Sequence, residues 1–454
     1  MAYNKKQRLN DNIKAIETAF ILDRELRTPT ARERLLLERY CGFGGLKCIL
    51  NPARELADAV HWAKSDLELF APTVELHRLI RENSKNESEY KQLMDSLKQS
   101  VLTAFYTPSA VTEALTDVLK EHQIIPEKVL EPSAGIGAFV DSVLDNNPKA
   151  DIMAFEKDLL TGKILRHLHP EQKVRIEGFE KIEKPFNDYF DLAISNIPFG
   201  DVAVFDPSYT AMKGMRALVT RRIHNYFFVK ALDTVRDGGL VAFITSQGVL
   251  NAKNNSAARF MMLYHADLVS AIRLPNNLFT ENANTEVGSD LIILQKNTQK
   301  ESLRGDDNLL DTVYNDENRI PTNNYFLEHP ERIIHTTAKL DTDPFGKPAM
   351  IYTHEDGVEG IAEDLRKMLH EDFKKNLNLN RYLGIEETMA EEVKEVEETE
   401  KIEETEKIKP SIEVKQNDTV VSLQKQEKPT DDAELSQKSN HQQPPVQMTL
   451  FDLW

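Results

Sequence analysis

Short apolar runs alternate with helical segments between residues 101 and 300, and this alternation constrains the fold more than any other feature of the sequence. The apolar runs are residues 129–131, 151–156, 174–178, 191–196 and 240–245, and the helical segments include 137–146, 158–168 and 223–236. This rhythm predicts βαβ units, because parallel strands need a crossover connection, usually a helix. We therefore predict an α/β fold with a mostly parallel sheet and helices on both faces.

Two further apolar runs, residues 267–275 and 290–296, follow this pattern. The polar segment that joins them is too short for a full crossover helix. We expect them to form an antiparallel pair at the edge of the sheet.

The regions on either side of residues 101–300 differ from it in kind. Residues 1–100 carry apolar residues at intervals of three and four, such as Ile13 and Ile16, which predicts helices. Residues 301–385 have fewer clear signals, and we expect a small mixed subdomain that contacts substrate. Residues 386–454 are rich in Glu and repeat the hexapeptide EETEKI in tandem, so low hydrophobicity and high charge predict a disordered acidic tail.

Charge and hydropathy exclude several classes of protein. With 56 basic and 74 acidic residues the formal net charge is −18, which argues against a protein that coats nucleic acid nonspecifically. The tail holds 18 acidic and 8 basic residues, so a locally basic groove elsewhere stays open. No apolar run reaches the roughly 18 residues of a membrane helix, and no secretory signal begins the chain. The two cysteines fill neither a disulfide framework nor a four-ligand zinc site, so we expect a cytoplasmic protein without a metal centre.

A glycine-containing loop, EPSAGIGAF at residues 131–139, follows the first strand and begins a helix. Gly135 and Gly137 let the backbone approach a ligand closely, which favours a nucleotide-type ligand. Their spacing matches neither a dinucleotide fingerprint nor a P-loop. Glu156 ends the next strand, in AFEKD, where a carboxylate is placed to accept both hydroxyls of a ribose. The alternative for Glu156 is a solvated carboxylate at a strand end.

The segment SNIPFG, residues 195–200, ends a later strand and faces the same crevice, because ligands of open parallel sheets lie beyond the carboxyl ends of strands. An exocyclic amine conjugated to a ring is a poor nucleophile. The side-chain oxygen of Asn196 and the carbonyl of Ile197 are suited to accept its two hydrogens and to stabilise developing charge. Pro198 would stiffen the turn and Phe199 would stack on the base. The alternative is a tight turn that simply follows a buried strand.

FYTP at residues 105–108, EPSAGIGAF, AFEKD and SNIPFG resemble, in this order, motifs X, I, II and IV of amino-group DNA methyltransferases. The runs 223–232, 238–250 and 271–296 are similar to adenine methylase-like proteins of bacterial mobile elements, which are often joined to or encoded with a helicase. The resemblance covers residues 30–360 and implies a Rossmann-like class I methyltransferase sheet. It also implies S-adenosyl-L-methionine as cofactor and DNA as substrate.

The resemblance further implies a role for each matched residue. Thr107 would help to hold the methionine carboxylate, Glu156 would bind the ribose, and Glu180, in a match to motif III, would contact the adenine ring of the cofactor. The residues that would line the methionine half are Glu131, Ser133, Ala134, Gly135 and Gly137. The residues that would bind the target adenine are Asn196, Ile197, Pro198 and Phe199, with Phe279 as the candidate for its second face.

Two departures from the family pattern bear on activity and specificity. The usual tetrapeptide has proline at its second position, where this chain has Ile197. The role there belongs to the backbone carbonyl, which isoleucine supplies equally well. The family also carries a sizeable target-recognition domain after the catalytic one, whereas only residues 301–385 precede the tail here. Recognition of a specific DNA sequence is therefore in doubt.

Two segments are candidates for contacts with macromolecules. A basic cluster follows the tetrapeptide and is predicted to contact DNA phosphates, the alternative being a solvated helix face. Its members are Lys213, Arg216, Arg221 and Arg222. The terminal segment QMTLF resembles the pentapeptide by which bacterial proteins dock on the DNA sliding clamp, through Gln447, Leu450 and Phe451. Its alternative is a tail end of unknown use.

The predicted function is methylation of adenine N6 in DNA by direct methyl transfer to a flipped base, without a metal or a covalent intermediate. One alternative is a non-catalytic DNA-processing subunit of a mobile element, which the short recognition region and the acidic charge favour. The other is a methyltransferase that acts on a glutamine amide or an RNA base, since an Asn-X-Pro-aromatic turn suits those planar amines as well. A helicase from the same element is a candidate partner.

Overall fold

The alternating apolar runs form one seven-stranded sheet in the computed structural model of the chain. The structure describes residues 4–103, 106–212, 214–280, 286–303, 307–314, 319–343 and 346–385. These residues belong to one compact unit, residues 1–385. The predicted acidic tail, residues 386–454, lies outside the described residues.

The sheet is parallel on one side and antiparallel on the other. Its strands are β1 (Lys128–Glu131), β2 (Asp151–Phe155), β3 (Lys173–Arg175), β4 (Phe190–Asn196), β5 (Val235–Ser246), β6 (Ala266–Leu274) and β7 (Ser289–Lys296). They lie in the order β3-β2-β1-β4-β5-β7-β6, and only β7 runs antiparallel to its neighbours. The predicted parallel sheet and the antiparallel edge pair are both confirmed. β7 lies inside β6 in the sheet, consistent with its burial at every position.

Helices cover both faces of this sheet, as predicted. The helices are α1 (Lys5–Glu25), α2 (Ala31–Leu37), α3 (Phe70–Glu82), α4 (Glu87–Thr103), α5 (Ser109–Glu121), α6 (Ala138–Asn146), α7 (Leu159–Leu168), α8 (Pro207–Thr210), α9 (Met215–Val219), α10 (Ile223–Thr234), α11 (Gly248–Asn251), α12 (Ser256–His265), α13 (Asn324–Glu328), α14 (Gly357–Asn376) and α15 (Leu379–Leu383). α5, α6 and α14 bury one face, whereas α10 and α12 bury the other. Among the described residues, no helix combines the length and the apolar character that crossing a membrane requires.

The N-terminal region is helical, as its apolar spacing predicts, and it packs on α7. Helices α1 to α4 share an apolar core with Leu160, Ile164 and Leu168 of α7. An ion pair between Asp23 of α1 and Lys163 of α7 joins the same elements. Because α7 begins directly after β2, the N-terminal region is fixed against the strand that carries Glu156.

Residues 301–385 combine short hairpins with one long helix. The hairpins pair β8 (Thr312–Tyr314) with β9 (Pro321–Asn323), and β10 (Thr337–Thr342) with β11 (Pro348–Thr353). The long helix α14 lies on the central sheet, where Asp372 accepts a hydrogen bond from the Ser270 hydroxyl over 2.7 Å. Helix α14 is therefore part of one of the two helical layers that cover the sheet. The predicted boundaries of the subdomain stay a prediction.

A buried ion pair links the two antiparallel strands. Arg273 of β6 donates to Asp290 of β7 through Nε over 2.9 Å, and its guanidinium also donates to Asn251 over 3.0 Å. The side chains of the pair are 3 % and 0 % exposed. The guanidinium carbon lies 4.1 Å from the ring centroid of Phe326. Because both charged side chains are buried, each depends on its partner.

We expect Asp290→Asn to lower the free energy of unfolding by about 3–5 kcal/mol, because it leaves the Arg273 cation buried without its counter-charge. Urea unfolding of the two proteins measures the difference. The matched control is Asp341→Asn, which breaks the exposed pair with Lys339 and should leave stability unchanged. Equal stability of Asp290→Asn and the wild type would contradict this assignment.

Candidate active site

The carboxyl ends of β1, β2 and β4 meet at one edge of the sheet, because β1 lies between the other two and all three run parallel. β1 ends at Glu131, Glu156 directly follows β2, and β4 ends at Asn196. The structure therefore brings the glycine loop, the candidate ribose carboxylate and the tetrapeptide to the same edge. We call it the carboxyl edge.

Backbone hydrogen bonds hold the loop between β1 and α6 against the end of β2. The Ala134 N–H donates to the Phe155 carbonyl over 2.9 Å. The next N–H, that of Gly135, donates to Oε2 of Glu156 over 2.8 Å. A hydrogen bond thus joins the predicted glycine loop directly to the predicted acid, Glu156.

Two glycines of this loop adopt backbone angles that other residues rarely take. Gly135 and Gly137 have φ of 57° and 96°. A Cβ on Gly135 would lie 2.8 Å from Cε1 of Tyr106, and one on Gly137 would lie 2.5 Å from Nε2 of His169. Only glycine therefore fits at these positions without movement of the rings above and below the loop.

Glu156 accepts a backbone hydrogen bond at each carboxylate oxygen. Besides the bond from Gly135, its Oε1 accepts from the Asp158 N–H over 2.7 Å. Removal from water, together with the neighbouring Asp158 carboxylate, raises the pKa of Glu156 to about 8. A carboxylate oxygen has two lone pairs, so each can still accept a further donor such as a hydroxyl.

Three buried polar side chains beside the loop make no hydrogen bond of ordinary geometry with the described residues. They are Thr107, Glu131 and Ser195, which are 6 %, 1 % and 0 % exposed. Burial raises the pKa of Glu131 to about 8, and the nearby Ser195 hydroxyl and Ser133 backbone offset this only in part. Because buried polar atoms without partners cost free energy, their concentration here indicates a site that a polar ligand completes.

The N-terminal region contributes side chains that sequence reasoning missed. Ser96 of α4 donates to Asp158 over 2.6 Å, and Asp158 caps α7 by accepting from the Thr161 N–H over 2.7 Å. The hydroxyls of Tyr40 and Tyr106 lie 3.2 and 3.5 Å from that of Thr161. The partners in these contacts are 55 to 121 positions apart in the chain, so no local sequence pattern could predict the contacts. The match to FYTP was the one available signal, and it includes Tyr106.

Glu180 lies in a short turn, Phe179–Lys181, that follows β3. Phe179 anchors this turn, because its buried ring contacts Phe155 and Phe227 at centroid distances of 5.8 and 5.3 Å. The Glu180 carboxylate lies 3.8 Å from Nζ of Lys157, next to Glu156 in the chain. The predicted contact of Glu180 with an adenine ring stays a prediction.

The tetrapeptide leaves β4 in a turn that is tied to the next strand. The Ile197 N–H donates to the Ile244 carbonyl of β5 over 3.0 Å. The Ile197 side chain is 1 % exposed and lies in the apolar core beneath α10. Asn196, Pro198 and Phe199 are only partly buried. Isoleucine thus fills a core position where the resembling family has proline, and the predicted role of its backbone carbonyl stays a prediction.

Phe279 lies against Phe199 and is buried. The ring centroids are 6.4 Å apart and the rings meet edge to face at 77°. Phe279 is 0 % exposed and belongs to the apolar core. The two rings touch each other directly, so Phe279 supports Phe199 and presents no open face for a base in this arrangement. Its role as second stacking face stays a prediction.

Two of the predicted DNA-contacting cations are paired within the chain. Arg216 binds Asp233 in a fork, with distances of 2.6 and 2.9 Å, and Tyr209 donates to the same carboxylate. Arg222 lies 3.2 Å from a carboxylate oxygen of Asp201. Arg216 and Arg222 are thus paired with acids of the same chain, and their predicted contact with DNA phosphates stays a prediction.

Five residues remain that were predicted to contact DNA or the sliding clamp. One is an exposed cation, and the other four lie outside the described residues. Arg221 is exposed and forms no ion pair with a described residue. Residues that lie outside the described part are Lys213, Gln447, Leu450 and Phe451. The roles of all five stay predictions.

Comparison with protein families gives a match over most of the described chain. The model of a family described as N-6 DNA Methylase matches residues 88–391. This range includes the glycine loop, Glu156, the tetrapeptide and the long helix α14.

Individual relatives match shorter parts. "Defense against restriction protein B" of Escherichia phage P1 is 29 % identical over 201 residues, 43 % of this chain and 8 % of that protein. "Type II methyltransferase M.XamI" of Xanthomonas campestris pv. amaranthicola is 25 % identical over 173 residues, 35 % of this chain and 33 % of that protein. The chain thus corresponds to only a part of each relative. The type I restriction-modification methyltransferase subunit from Streptococcus thermophilus superposes with a TM-score of 0.37 at 12 % identity, over 82 % of this chain and 94 % of that one.

We expect Gly135→Ala to destabilise the protein by about 1–3 kcal/mol more than Gly346→Ala, because the new methyl group meets the Tyr106 ring. Gly346 is the matched control, since its φ is 78° and a Cβ there would meet nothing within 4 Å. Denaturant unfolding of both variants measures the difference. Repeating the pair in a Tyr106→Ala background should remove the excess, and an excess that persists there would contradict the assigned contact.

Proposed function

The chain belongs to the N-6 DNA methylase family, and from this premise we propose that it methylates the N6 amino group of adenine in DNA, using S-adenosyl-L-methionine. The observation that carries the proposal is the meeting of three features at the carboxyl edge. They are the Asn196–Phe199 turn, the glycine loop and the buried carboxyl group of Glu131, which makes no hydrogen bond of ordinary geometry with a described residue.

The donor groups at this edge fit the proposed cofactor, which supplies an activated methyl group when it is bound. Its methionine half carries a cationic amine and a sulfonium, and the buried acid Glu131 would compensate such charges. Glu156 retains lone pairs for ribose hydroxyls. The other residues that we propose to hold the cofactor are Thr107, Ser133, Ala134, Gly135, Gly137 and Glu180.

Asn196 and Ile197 would act on the amine of the target base. Acceptors aimed at both amine hydrogens favour a pyramidal nitrogen and stabilise the positive charge that develops during methyl transfer. The Asn196 side-chain oxygen and the Ile197 carbonyl are the two acceptors. The hydrogen bond from Ile197 N–H to β5 fixes the orientation of the turn before substrate arrives. Pro198 has a fixed φ and also restricts the backbone of the preceding residue, Ile197.

The target adenine must leave the DNA stack to reach this turn. Phe199 would cover one face of the flipped base, and the buried Phe279 holds the Phe199 ring at its edge. Arg221 would contact a backbone phosphate, as would Lys213. We also propose a helicase and the sliding clamp as partners and a cytoplasmic location. These parts of the proposal rest on sequence resemblance and pattern alone.

A non-catalytic DNA-processing subunit is the second candidate. The observation that favours it is the pairing of Arg216 and Arg222 with acids of the same chain, which reduces the positive charge available for DNA. Such a subunit would keep its role when the Asn196 side chain is removed.

We expect Asn196→Ala to lower the rate of methyl transfer by about 100-fold or more, because one acceptor of the developing charge is lost. The measurement incubates protein with methyl-labelled S-adenosylmethionine and unmethylated plasmid DNA, and identifies N6-methyladenine by mass spectrometry. Asn187→Ala, at an exposed position before β4, is the matched control and should retain the wild-type rate. A wild type that forms no N6-methyladenine, or an Asn196→Ala variant as active as the wild type, would contradict the proposal.

We expect the pH dependence of stability to report the buried Glu131. Its pKa is about 8 in the folded chain, whereas an unfolded glutamate titrates near 4.3. Between these values the unfolded chain releases a proton that the folded chain keeps, so this group lowers stability progressively as pH rises through the window and no further above it. Glu131→Gln cannot ionise and escapes this loss.

The difference in thermal midpoint, Glu131→Gln minus wild type, should therefore increase from pH 5 to about pH 8 and then stay constant. Thermal scans across this range without cofactor measure the difference. Glu68→Gln, at an exposed position, should show no such trend. A difference that is the same at every pH would show that Glu131 does not titrate as described.

A further inference from the structure

The segment directly after the tetrapeptide exposes large apolar side chains. We call Asp201–Phe205 the arch. Within it Val202 is 60 % exposed and Phe205 is 76 % exposed. Phe205 is the most exposed phenylalanine of the described residues. Single exposed apolar residues are ordinary on protein surfaces, but this one belongs to a group. Met212, Met215 and Leu218, in the same connection to α10, are also exposed.

The arch is anchored on both sides, so its exposure does not reflect a lack of contacts. Before the exposed pair, Asp201 binds Arg222 over 3.2 Å. Between them, the Val204 N–H donates to the Thr220 carbonyl over 2.8 Å. The structure thus fixes the backbone of the arch and packs Val204 against the core, while the side chains of Val202 and Phe205 are exposed.

The residue after the arch provides the strongest of these anchors. Asp206 is 3 % exposed and accepts from the Tyr226 hydroxyl over 2.7 Å and from Nζ of Lys230 over 3.1 Å. Both partners belong to α10, which packs against the central sheet. The position of Phe205 is therefore tied to the same framework that carries the tetrapeptide.

The arch lies close to the proposed base-binding turn. Val202 is three residues from Phe199, so their Cα atoms are at most about 11 Å apart, and those of Phe205 and Phe199 at most about 20 Å. The first limit is no larger than the width of the DNA major groove, about 12 Å. A duplex whose target base is held at the tetrapeptide would therefore lie within reach of the arch.

One exposed cation of this connection also suits a nucleic acid. Residues 200–222 contain four basic and two acidic residues, in a chain whose net charge is −18. Arg222 is paired with Asp201, and Arg216 with Asp233 of α10, which reduces the charge that these two cations can offer. The exposed Arg221 forms no ion pair with a described residue. An apolar projection beside positive charge matches a duplex, which presents a phosphate backbone around stacked apolar bases.

We propose that the arch is a wedge that enters the DNA duplex beside the target adenine, with Phe205 filling the space between base steps and Val202 beside it. The inference rests on the proposed function and deepens it, because it names double-stranded DNA as the substrate and assigns the opening of the stack to this chain. Apolar side chains inserted at base steps offset the cost of unstacking. A base that is already unpaired needs no such help.

The test compares duplex and heat-denatured forms of the same unmethylated plasmid DNA as methyl acceptors. Phe205→Ala should lower methylation of the duplex about tenfold or more and leave methylation of denatured DNA within twofold of the wild type. Phe205→Trp should restore duplex activity, because a large aromatic surface is kept. The matched control is Leu56→Ala, since Leu56 is 87 % exposed in the N-terminal region, and it should leave both activities unchanged. Thermal unfolding verifies that all variants are folded.

Each other outcome overturns the wedge. Equal losses on both forms of DNA would place Phe205 in the catalytic turn or in the fold. Unchanged duplex methylation would leave the arch as a surface for another molecule, such as a protein partner. Wild-type activity on denatured DNA alone would show that this chain does not open the duplex. A wild type that methylates neither form contradicts the proposed function itself, which separates that failure from failure of the wedge.

Discussion

Glu131 ends the central strand β1 with its carboxyl group out of water and without a hydrogen bond of ordinary geometry to the described residues. Burial raises its pKa to about 8, so the group is protonated at neutral pH in the chain without ligand. A buried polar group without a hydrogen-bond partner lowers the stability of the fold. Here this loss occurs where the parallel strands end. The same edge carries the glycine loop, in which Gly135 and Gly137 have positive φ angles and the Gly135 N–H donates to Glu156. The candidate site is therefore a place where the fold is incomplete by itself.

The N-terminal helices contact residues at the carboxyl edge of the sheet. They reach it through α7, where Ser96 and Tyr40 contact the Asp158–Thr161 cap beside Glu156. A change in the N-terminal region would thus reach the candidate ribose carboxylate through two hydrogen bonds. On the opposite side, α10 holds both the core position of Ile197 and the anchor of the arch, Asp206. Cofactor and substrate sides of the proposed site are supported by different helical layers of one sheet.

Much of this fold was predictable from sequence, because buried parallel strands appear as short apolar runs and their carboxyl ends must share one edge. The glycine loop, Glu156 and Asn196 were placed together on that basis, and the structure brings them together. Side-chain partners were not predictable in the same way. Arg216 looked like a surface cation, yet its partner Asp233 lies in α10, and only the fold brings the two together. Phe279 is likewise buried, which the sequence did not predict, because a 3₁₀ turn of four residues is too short to show an apolar pattern that distinguishes core from surface.

The central claim is that the carboxyl edge is one cofactor site, completed by S-adenosylmethionine. Hydrogen–deuterium exchange with and without that compound tests it directly, because amides that become bonded or covered exchange more slowly. The account predicts slower exchange in peptides that cover residues 131–139, 154–158 and 178–181, and no change in the exposed strand β10. Unchanged exchange at all three segments under conditions in which the compound is bound, or protection confined to other parts of the chain, would contradict it.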